Sequence, residues 1–208
     1  MKLLAISDEV VDWVYSPSLA TRCRDVEAVI SCGDLPIYYL EFVASTLNVA
    51  CFYVRGNHDL YEFGENGEIR SEPQGWVNLD MQRVKYQNLT FAGLEGSIRY
   101  KPEVPYQYSQ GEQMARSYWL ARTMLLDRVT RGYGVDILVT HSPAFGIHDG
   151  PDHAHTGFYG YNWLIEKMKP RYMFHGHQHR NYAPFQPAET IVNQTHVLNI
   201  HPCQIIDV

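Results

Sequence analysis

The sequence predicts an α/β fold built on parallel strands, and three observations predict it. Short apolar runs of strand length recur along the 208 residues. Stretches of helical character separate the early ones, giving a β-α-β-α-β order. Polar residues able to bind ligands stand directly after several of the runs, where open α/β sheets bind theirs. The length suits one domain, 1–208, with enough chain to bury a core.

The elements follow in order. "KLLAIS" (2–7) reads as a buried strand. Ser16 and Pro17 fit an N-cap and the first position of a helix. "EAVISC" (27–32) is the second strand, 37–47 a helix, and "VACFYV" (49–54) the third strand. Residues 60–80, with Gly64, Gly67, Pro73 and Gly75, read as an irregular excursion. "LTFAG" (89–93) is a strand. Ser109 and Glu112 form a capping-box pattern before one long helix over 110–130, ended near Gly132. "DILVT" (136–140) is a strand, 142–158 a loop rich in Pro, Gly and His, and "YGYNWLIEKM" a helix stopped by Pro170. "RYMF" (171–174) is a strand, and the tail forms a hairpin around Asn193 and Gln194 before a last strand at 203–207.

The net charge of −6 argues against a general nucleic-acid binder, which would carry basic clusters. A small phosphate ester stays open as a partner, because local fields differ from the net charge. Cys23, Cys32, Cys51 and Cys203 form no C-x-x-C pair and read as reduced thiols. The run "LLAI" is too short for a signal peptide or a membrane span. The expectation is a soluble, cytoplasmic protein without a membrane partner.

Asp8 follows the first strand, and Gly33-Asp34 the second. Arg55-Gly56-Asn57-His58-Asp59 follows the third. His141 follows "ILVT", and "FHGHQH" (174–179) puts His175, His177 and His179 at the end of another strand. Five strand ends that each release a carboxylate, amide or imidazole suggest one point of convergence. Carboxylate, amide and imidazole ligands without cysteine suit Mn, Fe, Zn or similar divalent ions. A pair of ions bridged by Asp34, roughly 3.5–4 Å apart, is plausible.

In this order the motifs resemble those of the calcineurin-like metallophosphoesterases: Asp8, "GD" at 33–34, "GNHD" at 56–59, "TH" at 140–141 and "GHQH" at 176–179. "GNHD" followed by "GHQH" is the specific part. The resemblance implies a four-layer α-β-β-α sandwich with a two-metal site. Matched residue by residue, it gives Asp8, Asp34 and His179 to the first metal. It gives Asp34, Asn57, His141 and His177 to the second. It makes His58 the catalytic histidine and implies phosphoester hydrolysis by metal-activated hydroxide attack on phosphorus. Asn57 would also hold a phosphoryl oxygen, and Asp59 would orient His58 through a hydrogen bond. One position departs: the family's first block is D-x-H, and here it reads Asp8-Glu9-Val10. Valine binds no metal, so the first site is expected to be weakened. Strand alternation aims Glu9 away from Asp8.

Residues outside the motifs carry two readings each. Arg99, Arg180 and His155 would bind substrate at the rim, or be ordinary surface groups; His148, Asp149 and His153 share the loop of His155. The tyrosines of 98–110 would line a pocket or pack the surface. His196 and His201 read as structural, and the aromatics at 118–119 as core. A non-catalytic scaffold, as in the retromer subunit of this fold, is the alternative to the enzyme. His58 favours the enzyme, and Val10 keeps the scaffold reading alive.

Overall fold

The computed structural model describes residues 1–59, 61–63, 67–179 and 187–208. Leu60, Gly64 and Arg180, with the expectations attached to them, lie outside these. The strands are β1 (Lys2–Ile6), β2 (Ala28–Ser31), β3 (Ala50–Tyr53), β4 (Glu62–Phe63), β5 (Ile69–Arg70), β6 (Trp76–Asn78), β7 (Arg83–Tyr86) and β8 (Leu89–Leu94). They continue as β9 (Ser97–Ile98), β10 (Gln107–Tyr108), β11 (Ile137–Thr140), β12 (Tyr172–His175), β13 (Glu189–Val192), β14 (Thr195–Asn199) and β15 (Cys203–Asp207). The helices are α1 (Ser18–Arg22), α2 (Ile37–Leu47), α3 (Gln110–Arg122), α4 (Leu125–Thr130) and α5 (Tyr159–Met168).

Two sheets carry the fold. One has the order β15-β1-β2-β3-β6, parallel except at β15. The other has the order β13-β14-β12-β11-β8-β7, parallel except at the edges β13 and β7. Alternation along each strand sorts side chains into layers. Leu3, Ala5, Ile30 and Phe52 meet Phe91, Ile137, Phe174 and Leu198 between the sheets. Leu4, Ile6 and Val29 point the other way, against Leu19 of α1 and Tyr39 and Val43 of α2. Leu138, Met173 and Val197 pack on Leu120 of α3 and on Tyr161 and Leu164 of α5. Helices therefore cover both outer faces, and the molecule is the α-β-β-α sandwich.

Four local expectations are corrected. Pro17, not Ser16, is the N-cap of α1, and Ser16 Oγ accepts the Ser18 N–H at 3.3 Å. Residues 60–80 are not wholly irregular: β6 extends the first sheet, and β4 and β5 form a small hairpin. The expected 110–130 helix breaks between α3 and α4. The N–H groups of Thr123 and Met124 bond to carbonyls three residues back, and Met124 turns into the core. Tyr118 and Trp119 are exposed, because the buried stripe of α3 runs through Gln113, Ser117, Leu120 and Ala121. The capping box is formed: Ser109 accepts from Glu112 N, and Glu112 accepts from Ser109 N. All four cysteines are free thiols. Among the described residues, no helix is long and apolar enough to cross a membrane.

Candidate metal centre

The parallel strands of both sheets end on one rim, and their ends deliver the polar residues there. Asp34, His141 and His177 place ligand atoms within 4.8 Å of one another. His141 Nε2 lies 3.1 Å from Asn57 Oδ1, 3.1 Å from His177 Nδ1 and 3.3 Å from Asp34 Oδ2. Each imidazole is oriented from behind. His141 Nδ1 donates to Cys32 O at 2.8 Å, and His177 Nε2 donates to Ala154 O at 2.9 Å. These bonds turn the opposite nitrogens inward, as they do in metal-ligating histidines. Asn57 Nδ2 donates to Tyr100 Oη at 3.1 Å, which turns its carbonyl oxygen inward too. Two imidazole nitrogens, a carboxylate and an amide oxygen form a donor set that fits a divalent ion such as Mn, Fe or Zn.

The backbone bends hard to achieve this. Asp8, Asp34 and His177 adopt left-handed φ values of 66°, 56° and 64°. Two glycines let carboxylates approach the chain. A Cβ on Gly56 would stand 2.0 Å from Asp34 Oδ1, and one on Gly176 would stand 2.4 Å from Asp8 Oδ2.

Charge is concentrated and unequal. Burial raises the Asp34 carboxyl, but the His141 charge and hydrogen bond outweigh it and hold the group at about 2. Burial lowers His141, but Asp34 and Asp8 raise it further, to about 9. Burial and the His141 charge push His177 down to about 3. Burial, with the Asp34 charge, raises Asp8. A cation here would displace a proton held at His141.

Not every expected residue joins this cluster. Asp8 accepts the His177 N–H with both oxygens, at 3.0 Å each. His179 stacks on His201 with ring centroids 4.5 Å apart. Among the described residues, the group of metal-binding type is Asp34, His141 and His177; Asp8 and His179 stand outside it. Glu9 points its carboxylate toward His201 Nε2, at 3.5 Å. His58 is exposed, and its backbone N–H donates to Asp34 Oδ1 at 2.7 Å. Asp59 does not orient His58. Its carboxylate accepts the N–H groups of Asp34 (2.8 Å), Leu35 (3.0 Å) and Gly56 (2.7 Å), and so clasps two ligand loops together. Burial and the Asp34 charge raise Asp59 to about 7.

At the rim, His155 lies with its ring centroid 5.2 Å from that of His177, and its Nδ1 bonds Asp152 at 2.7 Å. Arg99 is committed elsewhere: its guanidinium pairs with Glu112 at 2.9 Å and donates to Gln107 O at 3.1 Å. Sequence reasoning did not place His201 at this rim, and it named Tyr100 only among the tyrosines of 98–110 that would line a pocket or pack the surface. The signal for His201 was present, since β14 lies parallel to β12 and also ends on this rim. Nothing in the sequence singled out Tyr100 among those tyrosines as the partner of Asn57.

The calcineurin-like phosphoesterase family matches over residues 7–181, and the chain belongs to that family. A solved structure with 14% identity superposes with a TM-score of 0.62, covering 99% of this chain and 98% of its own, and shares the fold. An archaeal phosphodiesterase matches at 15% identity and TM-score 0.45, covering 100% of this chain and 93% of its own. A single mutant of Vps29 from Entamoeba histolytica matches at 14% identity and TM-score 0.35, covering 96% and 73%. A search of curated proteins gives no significant match.

Proposed function

We propose that the protein is a metal-dependent hydrolase of phosphomonoesters or phosphodiesters. The observation that carries the reading is the convergence of Asp34, Asn57, His141 and His177, with both imidazoles braced from behind. These four residues would hold one divalent ion, Mn, Fe, Zn or similar. Asp8 and His179, with Asp34, would hold a second, weaker one, since Val10 offers no ligand. A bound cation supplies positive charge and Lewis acidity at the point where a phosphoryl oxygen must be polarised.

The chain's own groups do the remaining work. Asn57 is held by Tyr100 and contributes a fixed amide dipole beside the phosphoryl position. His58 is tethered through its backbone to Asp34, and its exposed ring is free to donate a proton to the departing ester oxygen. Such a donor typically contributes 10²- to 10⁴-fold. His155 stands at the entrance, where it would meet the incoming ester. The substrate is a small ester; neither a membrane nor a nucleic acid is required.

The test is hydrolysis of bis-nitrophenyl phosphate and nitrophenyl phosphate with added manganese. Wild type should turn over at least one, and His58→Ala should keep its metal while losing about 10²- to 10⁴-fold in kcat. Full activity in His58→Ala would remove that residue from the reaction. No turnover with any divalent ion would favour the non-catalytic scaffold, the reading that Val10 keeps open.

A further inference from the structure

Beside the metal centre, a cavity of about 250 Å³ opens between α2 and the β4–β5 hairpin. Asp34 belongs to both, and His58 and Asp59 line the cavity where it meets the centre. Its walls are otherwise mainly apolar: Leu35, Ile37, Leu40, Tyr53, Tyr61 and Pro73. The hairpin also exposes apolar side chains, with Tyr61 56%, Phe63 70% and Ile69 67% accessible. Tyr61 and Phe63 meet edge to face at 5.4 Å, an aromatic lip next to the cavity. Exposed aromatics beside an apolar pocket mark a ligand surface better than a stability device.

Charge narrows the ligand. The acidic groups on the wall are Asp34, Asp59 and Glu62. Glu62 is tied to the Ile37 N–H at 2.8 Å. Arg55 also lines the cavity, but Glu72 lies 2.9 Å and Glu95 3.5 Å from its guanidinium, which faces the rings of Tyr53 and Tyr106. Its charge is answered within the protein. A second phosphate or a carboxylate on the substrate would face acidic groups and find its cation already engaged.

Size narrows it further. An apolar cavity of roughly 150 Å³ is enough to hold benzene. The volume here suits one ring with its substituents, not an extended chain or a macromolecular strand.

We infer that this cavity receives the organic group of the substrate, and that the substrate is a phosphoester of a compact, uncharged aromatic or apolar alcohol. The inference rests on the hydrolase reading for the position of the phosphoryl group. Binding tests it without turnover. Phenylphosphonate, methylphosphonate and 4-carboxyphenylphosphonate are titrated into the manganese-loaded protein by calorimetry. Phenylphosphonate should bind at least about tenfold more tightly than methylphosphonate. The carboxylated ring should lose that advantage. Tyr61→Ala, a change at an exposed position, should lower the phenyl-to-methyl ratio by about threefold or more.

Equal affinities for phenyl and methyl, a carboxyphenyl affinity matching phenyl, an unchanged ratio in Tyr61→Ala, or no binding at all would each overturn it. Ring-selective binding without ester turnover defeats the hydrolase reading and leaves the cavity assignment standing. Turnover with equal phosphonate affinities does the reverse.

Discussion

Single residues at this centre are held by what stands behind them. His141 and His177 face inward because Cys32 O and Ala154 O take their far nitrogens. Asn57 faces inward because Tyr100 takes its amide N–H. Tyr100→Phe removes that acceptor and frees the amide to rotate. Manganese affinity or kcat should fall by about 10- to 100-fold, the usual effect of losing such a support. Unchanged affinity and rate, by calorimetry and nitrophenyl ester hydrolysis, would show that Asn57 is fixed by other means. The residues of the cluster were legible from sequence because each follows an apolar run. The support of Asn57 by Tyr100 was not, because Tyr100 reaches Asn57 from a loop 43 positions away and belongs to no motif. Asp59 was misread for a related reason: "GNHD" shows that His58 and Asp59 are neighbours, not that the carboxylate turns back to clasp the Gly33–Leu35 loop.

At the scale of elements, the rim loop over 142–158 is fastened to the second sheet by two buried histidines. His175 on β12 donates from Nδ1 to Gly176 O at 3.0 Å. Its Nε2 accepts from His148 Nδ1 at 2.9 Å, and His148 Nε2 accepts from Thr190 Oγ1 at 2.8 Å. Burial disfavours the charged form of both rings, and in this arrangement each donates from one nitrogen and accepts at the other. Burial, then the neighbouring His148, lowers His175 to about 3, and burial lowers His148. An unfolded histidine protonates near 6.5, so below that pH the unfolded chain binds more protons and the folded state loses stability.

Comparing wild type with His175→Asn isolates this contribution from the acidic groups of the metal centre. The wild-type advantage should shrink by roughly 2 kcal/mol between pH 6.5 and pH 5. Denaturant unfolding of the metal-free proteins measures it, and a constant difference across that range would contradict the neutral pair. Most elements were legible at this scale, since short apolar runs and a capping box have local causes. The break between α3 and α4 was not. It follows from burying Met124 against the region of Gly134, a tertiary contact. The strand β7 was also missed, because its two-residue turn at Gln87 and Asn88 carries no glycine.

For the whole molecule, the site exists because two sheets stack with their parallel strand ends on one side. Phe91 sits fully buried in that middle layer, stacked on Phe52 at 4.8 Å. Phe91→Ala should cost about 3–5 kcal/mol in unfolding free energy. A loss below about 1 kcal/mol would show that the two-sheet interface is not a tightly packed core. The stacking of the sheets was available in the sequence only through resemblance to a family; apolar runs alone indicate parallel strands without saying how two sheets face each other.

Manganese titration of the metal-free protein by calorimetry, in wild type and in His177→Ala, tests the central claim most directly. Ligands from distant parts of the chain should hold one cation tightly, and removing His177 should weaken that binding by about 100-fold or more. Identical isotherms for the two proteins, or no binding by either, would contradict it.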